Sequence, residues 1–338
     1  MKGIKKNSII LLIVTILIVG FVLKDDFNAI VDALLKANLL VLFLAFLCQI
    51  VALMFEALAY KKVVDSYTDD YSYKSALKMQ FITKFFNGIT PFSTGGQPMQ
   101  IYLLKKDGFR LTKATNIIMQ NFILYQAALV TYGIIALLVN WKWNLFKEVT
   151  LLKNLILLGF LMNTLVMLGL IIISFSSKFN HVMIDKAIAV LAKLKIVKDK
   201  EKKQAEWSEK VDDFHQGTTY LKQHKKLCLQ SYFYNFVYLT LNYVMPYFVI
   251  ASLLGFDNPV TPIGAICSSA YILIIGSFVP IPGASGGIEY GYLRFFGSFI
   301  KGGILKASLL IWRFISYYFL MIVGAVIFNL KGSEKKCE

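Results

Sequence analysis

Long apolar runs, separated by short polar stretches, dominate the pattern of this chain. Six runs reach or approach the roughly 20 residues that an α-helix needs to cross the hydrocarbon core of a bilayer. These runs cover residues 8–23, 39–60, 114–139, 151–175, 227–254 and 303–330. The pattern predicts an all-α, polytopic membrane helix bundle of about six full spans, with residues 1–338 forming a single integral membrane domain.

The distribution of lysine and arginine predicts which loops lie inside, because cytoplasmic loops carry an excess of these residues. The amino terminus is basic, so it should be cytoplasmic, and the acidic loop 24–36 should lie outside. The basic stretches near 61–78 and 105–113 both belong inside. Residues 75–104 between them should therefore enter and leave on one face, as a re-entrant hairpin within a first helix group (8–175).

The carboxy-terminal half predicts a second hairpin. Loop 255–261 has neither Lys nor Arg and should lie outside, whereas the basic tail after residue 330 should lie inside. For the last span to run inward, residues 262–300 must start and finish outside. The second helix group (227–330) then repeats the span, hairpin and span of residues 39–139 upside down, as an inverted repeat.

A basic polar segment separates the two helix groups. Residues 176–226 contain twelve lysines against seven acidic residues. Its apolar positions have helical spacing, which predicts a cytoplasmic amphipathic segment on the membrane surface. A solvated helical linker is the alternative interpretation. The spaced positions are Val182, Ile184, Ala187, Val190, Leu191 and Leu194.

Composition narrows the class of partner. The chain is 57% hydrophobic and carries a formal net charge of +16, mostly as lysine between apolar runs. Basic segments beside membrane spans are attracted to anionic phospholipid, so we expect a membrane partner and no nucleic acid. The four cysteines and three histidines lack metal-ligand spacing, so we predict neither a metal site nor a cofactor.

Two segments break the helical pattern with proline and glycine. The first reads TPFSTGGQP over residues 90–98, and the second reads PIPGASGGIE over residues 280–289. Such a run cannot continue a helix, because proline lacks the amide donor and glycine favours other backbone angles. At membrane depth an irregular backbone must be buried in protein or line a wet cavity. The two breaks therefore predict a polar cavity; simple structural kinks are the alternative.

Paired breaks in units of opposite topology are typical of a transporter's substrate site, where half-helix amino termini hold anionic groups. A phosphate head group is the ligand that we expect. The candidate head-group contacts are Thr90, Pro91, Ser93, Gly95, Gly96, Gln97, Gln100, Pro282, Gly283, Gly286, Glu289 and Arg294. The uncharged members of this set could equally cap the short half-helices.

Charged residues inside apolar stretches are functional candidates, because burying them in a membrane is costly. Glu289 could exchange a proton or pair with Arg294, and an arginine could bind phosphate with its planar fork. Glu56, Lys84 and Arg313 are possible charge partners. For all of these residues a purely structural ion pair is the alternative. No residue stands out as catalytic.

The two motifs resemble those of the flippase-like, lysylphosphatidylglycerol synthase transmembrane-region family, over most of the chain. One departure is Ala284, where the family more often has a second glycine after Pro-Gly. Family members that are phosphatidylglycerol lysyltransferases join this membrane region to a soluble synthase domain. Glu338 lies eight residues after Leu330, so we expect no such domain here.

The resemblance implies a flippase or transporter that moves a phospholipid or lipid-linked anionic head group, such as lysyl-phosphatidylglycerol, between leaflets. A lysyltransferase that confers cationic-peptide resistance is one alternative. An accessory subunit of a separate synthase is the other. We expect location in a bacterial cytoplasmic membrane with both termini cytoplasmic, and protein partners limited to a separate synthase or another copy of the chain.

Overall fold

The computed structural model describes residues 27–143, 150–176, 224–277 and 279–333, with 182–183, 186, 188–189 and 207–208 besides. Within these ranges the chain forms helices joined by short turns, with no β-strand. The all-α prediction is confirmed. The predicted first span (8–23) and nearly all of the basic segment (176–226) lie outside the described residues.

Eleven α-helices follow one another through the described ranges. They are α1 (Phe27–Leu35), α2 (Leu39–Val64), α3 (Tyr73–Gly88), α4 (Gly96–Lys106), α5 (Leu111–Trp143), α6 (Thr150–Phe175), α7 (Lys225–Leu254), α8 (Pro262–Gly276), α9 (Gly287–Phe296), α10 (Gly302–Arg313) and α11 (Phe319–Ser333). Short 3₁₀ turns at Pro91–Ser93 and Pro282–Ala284 mark the two breaks. A π turn at Phe314–Tyr318 joins α10 to α11.

Helix α1 departs from the predicted loop 24–36. Its apolar positions Phe27, Ile30 and Leu34 follow helical spacing, and Ile30 is fully buried. Asn38 then ends the connection by accepting hydrogen bonds from the amides of Leu40 and Val41 at the start of α2. Three acidic residues suggested a plain external loop, but the apolar residues between them form a short packed helix.

Within the described part of the chain, four helical segments are long and apolar enough to cross a membrane: α2, α5, α7 and the composite Gly302–Leu330. Helix α6 has a shorter apolar stretch, at Ile156–Ile172. One side of α6 exposes Leu157, Leu161, Leu165 and Leu168 at helical spacing. A bare apolar stripe of this kind suits contact with lipid, so the protein is a polytopic membrane helix bundle.

Helices α2 and α7 form the centre of the bundle and run antiparallel. The Asn38 amide donates to the Ser252 carbonyl at 2.7 Å, and at the opposite end the Ser231 hydroxyl donates to the Ala59 carbonyl at 3.0 Å. Buried alanines recur every seven residues along α2, at positions 45, 52 and 59, where they permit close approach of the backbones. The leading helices of the two halves thus point in opposite directions.

The hairpins extend this two-fold arrangement. Hairpin 1 is α3, the first break and α4; hairpin 2 is α8, the second break and α9. The first helix of each hairpin packs against the closing helix of the other half, α3 against α11 and α8 against α5. The Tyr271 hydroxyl, for example, donates to the Ala136 carbonyl at 2.8 Å. This exchange of contacts is the pattern that the predicted inverted repeat requires.

The α3–α11 contact depends on Gly324, which gives our first prediction. A Cβ at Gly324 would overlap the Phe81 carbonyl oxygen and lie 3.0 Å from Phe85 Cβ. We expect Gly324→Ala to destabilise the detergent-purified protein by about 1–3 kcal/mol through overpacking. Gly169→Ala on α6 is the control, because nothing lies within 4 Å of the added carbon. Thermal unfolding that shifts equally in both variants would contradict this packing.

Candidate functional site

The two breaks begin with the same turn. Residues 91–96 (PFSTGG) and 282–287 (PGASGG) both start with proline in a 3₁₀ turn. The two residues after each proline have positive φ: 53° at Phe92 and Ser93, then 64° at Gly283 and 52° at Ala284. Only glycine adopts this region without strain, so three of the four positions carry a steric cost. The start of the turn is therefore built twice, whereas the following Gly-Gly pairs differ, with φ −75° at residue 95 and 87° at residue 286.

Neutral side chains of hairpin 1 hold the first break together. The Thr90 hydroxyl accepts a hydrogen bond from the Gly95 amide at 2.8 Å, and the Asn87 side chain accepts one from the Gly96 amide at 2.8 Å. These contacts satisfy donors at the start of α4 that no helical carbonyl can reach. Thr90 and the two glycines thus have a structural role, because these hydrogen bonds join the residues before the break to those after it.

A buried ion pair holds the second break. Glu289 Oε1 lies 2.7 Å from Arg313 Nε, and both side chains are 6% exposed. Glu289 also accepts from the Gly286 amide at 2.6 Å, while Arg313 donates to the Gly283 carbonyl at 3.3 Å and approaches the Ser285 hydroxyl at 3.4 Å. Backbone groups that the turn leaves without helical partners therefore bind opposite charges brought from α9 and α10.

The two breaks pack against each other and border one cavity of about 450 Å³. Ser93, Thr94 and Gln97 line it from hairpin 1, and Ser277 and Ala284 line it from hairpin 2. Its far wall comes from α5 and α6, where the side-chain amide of Gln126 donates to Asn163 at 3.3 Å. A space between the breaks is thus present, and its lining is mostly apolar with six uncharged polar side chains among the described residues.

The cavity offers hydroxyl and amide groups beside apolar surface. Of the described residues that line it, none carries a formal charge. Phe122, Met162 and Val166 form its apolar wall, and α6 exposes apolar side chains on the outer side of the bundle. Hydroxyls and amides can hydrogen-bond the oxygens of a phosphate or polyol, and the neighbouring apolar wall suits an acyl chain.

The predicted site residues separate into three sets. Ser93 and Gln97 reach the cavity. The residues of a second set lie in the turns or in the helices beside them and do not line the cavity: Thr90, Pro91, Gly95, Gly96, Gln100, Pro282, Gly283, Gly286 and Glu289. Arg294 belongs to neither set, because it is exposed on α9 and its guanidinium lies 5.2 Å from the Tyr290 ring.

The suggested pairing of Glu289 with Arg294 is wrong. Five residues separate them on α9, which turns the two side chains to different faces of the helix, whereas Arg313 of α10 faces Glu289 directly. Arg313 had been named only as a possible charge partner. Its position inside an apolar span was the signal that an internal partner had to exist.

A second charged cluster joins hairpin 1 to the two central helices. Lys84 Nζ lies 2.7 Å from the Glu56 carboxylate and donates to the Tyr238 hydroxyl at 3.0 Å. These two possible charge partners therefore pair with each other, a pairing that the sequence did not predict. Tyr238 in turn packs on Tyr125, a residue that lines the cavity, with ring centroids 6.4 Å apart. The cluster lies behind the cavity wall rather than in the cavity.

Sequence reasoning missed the wall that α5 and α6 contribute. Gln126 and Asn163 are uncharged polar residues within long apolar runs in which we named no candidate from the sequence. Tyr317 was also missed, although its hydroxyl donates to the Gly88 carbonyl at 2.8 Å. An amide in the middle of an apolar span is the signal that could have found the first two.

The two hairpins, their adjoining breaks and a cavity beside lipid-facing helices define the class: a polytopic membrane protein with a cavity between two helical hairpins. The sequence-family model of the lysylphosphatidylglycerol synthase transmembrane region matches residues 8–324, so the chain belongs to this family. A "UPF0104 membrane protein" of Archaeoglobus fulgidus is 25% identical over 336 residues, which cover 96% of this chain and 97% of that protein. The family resemblance of the two motifs is thereby confirmed.

Ala284 offers a direct test of the turn geometry. Because its φ is 52°, a β-carbon is strained there. We expect Ala284→Gly to stabilise the protein by up to about 1 kcal/mol, since removal of the strain outweighs the entropic cost of glycine. Ala270→Gly, in the middle of α8, should instead cost about 1 kcal/mol. Thermal unfolding in detergent measures both, and a loss of stability in Ala284→Gly would refute the positive φ.

The Glu289–Arg313 pair gives a further prediction. We expect Glu289→Gln or Arg313→Met alone to cost about 3–5 kcal/mol, because each leaves a buried charge without its counter-ion. The double variant should lose clearly less than the sum of the two. Lys61→Met is the control, because the Lys61–Asp65 pair is about a quarter exposed and contributes at most about 1 kcal/mol. Additive losses in unfolding measurements would show that the two charges are not coupled.

Proposed function

We propose that this chain moves lipids between leaflets, with the polar head group passing through the cavity between the two breaks and the acyl chains staying in the bilayer. The substrate class is a phospholipid or lipid-linked molecule with an anionic head group. Membership of a family named for lysylphosphatidylglycerol synthase agrees with a lipid substrate. The mode of action, transport rather than synthesis, is our proposal.

One observation carries this proposal: broken segments from two oppositely directed halves meet at a cavity whose described lining residues combine uncharged polar groups with apolar surface. Paired breaks at the interface of inverted repeats are the arrangement by which many transporters bind substrate and alternate access. A wall of apolar α6 side chains next to the hydroxyls and amides gives an amphipathic path. A lipid presents the same division between a polar head and an apolar tail.

The hydrogen-bonding residues of the cavity take the role of head-group contacts in this mechanism. Ser93, Thr94 and Gln97 face the substrate from hairpin 1, and Gln126 and Asn163 face it from the opposite wall. Glu289 is instead a positioning residue, since its carboxylate is occupied by Arg313 and the Gly286 amide. Arg294, on the exposed side of α9, serves as a contact for lipid phosphate outside the cavity.

The proposed setting is the cytoplasmic membrane, with both termini cytoplasmic and the hairpins opening to opposite faces. In this orientation the lysines of α4 and of the following turn face the anionic cytoplasmic leaflet. Lys105 and Lys106 close α4, and Arg110 follows. Trp141 and Trp143, exposed at the other end of α5, then lie at the outer interface, where tryptophan is enriched.

The test is lipid translocation by purified protein in proteoliposomes, with labelled phosphatidylglycerol, lysyl-phosphatidylglycerol and a polyprenyl phosphate. We expect selective movement of one of these lipids, and at least a tenfold lower rate in Asn163→Leu, because it removes a cavity amide and its hydrogen bond to Gln126. The lipid that moves names the substrate class.

Asn329→Leu is the matched control. Both asparagine side chains donate to a carbonyl of their own helix at 3.0 Å, Asn163 to Gly159 and Asn329 to Ala325, but Asn329 is exposed on α11. The control should keep its rate. Movement of none of the three lipids, by protein shown to be folded, would overturn the transport proposal and favour an accessory role beside a separate synthase.

A further inference from the structure

Tyr317 lies between the two hairpins and contacts both. Its hydroxyl donates to the carbonyl of Gly88, the last residue of α3. A Cβ at Gly88 would come within 3.4 Å of the Tyr317 ring, and a Cβ at Gly283, in the second break, would overlap the phenol group. Glycine at both positions lets one aromatic side chain lie against hairpin 1 and hairpin 2 together.

Arg313 extends this contact to the rest of the second break. Its guanidinium lies 4.4 Å from the Tyr317 ring centroid, a distance suited to a cation–π interaction. The same guanidinium approaches Glu289 and the Gly283 carbonyl. A continuous set of contacts therefore runs from α9, through Arg313 and Tyr317, to the end of α3.

The two residues flank an irregular part of the last span. The π turn Phe314–Tyr318 begins directly after Arg313 and includes Tyr317. Single π turns are rare within α-helices and occur frequently at functional sites. Here the turn carries the two side chains that bridge the hairpins, which gives the irregularity a structural purpose.

The breaks and the residues beside them form the tips of the two hairpins. We propose that Arg313 and Tyr317 form a latch between these tips, so that the two breaks move as one unit when the cavity opens. Hairpin 1 cannot leave the last span without losing the Tyr317–Gly88 hydrogen bond, and hairpin 2 is held to the same span by the Glu289–Arg313 ion pair. Both hairpins are thereby tied to one span, so that access from one face is linked to closure at the other. The inference rests on the proposed function in taking the cavity as the transport path. The latch itself predicts the distance between the two hairpin tips, which can be measured without any lipid movement.

The test is a distance distribution between spin labels on the two tips, measured by pulsed electron paramagnetic resonance in lipid nanodiscs. The labels are placed at Ser93→Cys and Ser277→Cys, both exposed, after replacement of Cys48, Cys228, Cys267 and Cys337. Tyr317→Phe removes only the hydroxyl. We expect it to raise the ratio of separated to closed tips about fivefold, as the loss of one hydrogen bond implies.

Tyr290→Phe is the matched control, since the same hydroxyl is removed from an exposed ring on α9. Gly88→Ala is the second latch variant, because its methyl group would press on Met321 and Tyr317. Separation in both latch variants, with the control unchanged, supports the latch. Distributions that stay unchanged in the latch variants, or broaden equally in the control, overturn it. Translocation is measured separately on the unlabelled chain with its native Ser93 and Ser277. Absence of lipid movement there, together with latch-specific separation in the labelled proteins, would refute only the proposed transport.

Discussion

The structure depends on one constraint: a backbone that leaves helical geometry inside a membrane protein must find its hydrogen-bond partners within the protein. The two turns interrupt their helices where the hairpins meet; Pro282–Ala284 is buried, and Pro91–Ser93 is exposed at the edge of the cavity. Each unpaired amide or carbonyl would cost several kcal/mol in hydrocarbon. The surrounding packing follows from this demand, because the helices that supply the partners have to approach the turns closely. The cavity is the space that remains where the two turns meet.

Inversion lets one architecture meet this demand twice. Since α2 and α7 run antiparallel, the hairpin that follows each of them approaches the centre from an opposite side. Each hairpin then finds its packing partner in the other half, so neither half could bury its own break alone. The two halves are therefore one cooperative structure, and a polar space shared between them is a natural consequence of their contact.

Much of this arrangement could be predicted from the sequence. Apolar runs located the long helices, and Pro-Gly patterns located both breaks, because these signals are local. The partners of the charged residues could not be predicted in the same way. Lys84 and Glu56 were recognised only as possible charge partners. Glu289 was assigned to a neighbour on its own helix rather than to Arg313. Such pairings depend on how distant helices cross. The π turn at Phe314–Tyr318 likewise has no proline or glycine to announce it.

The two turns begin with the same backbone conformation but differ in what secures them. Asn87 and Thr90 hold one with neutral hydrogen bonds, whereas Glu289 and Arg313 hold the other with a buried ion pair. If the halves were identical, conformations open to the two sides of the membrane would be related by symmetry and equally populated. Because the two turns are secured by different interactions, the two conformations are not equal in energy. On the proposed function, the Glu289–Arg313 pair would thus help to decide toward which side of the membrane the resting protein opens.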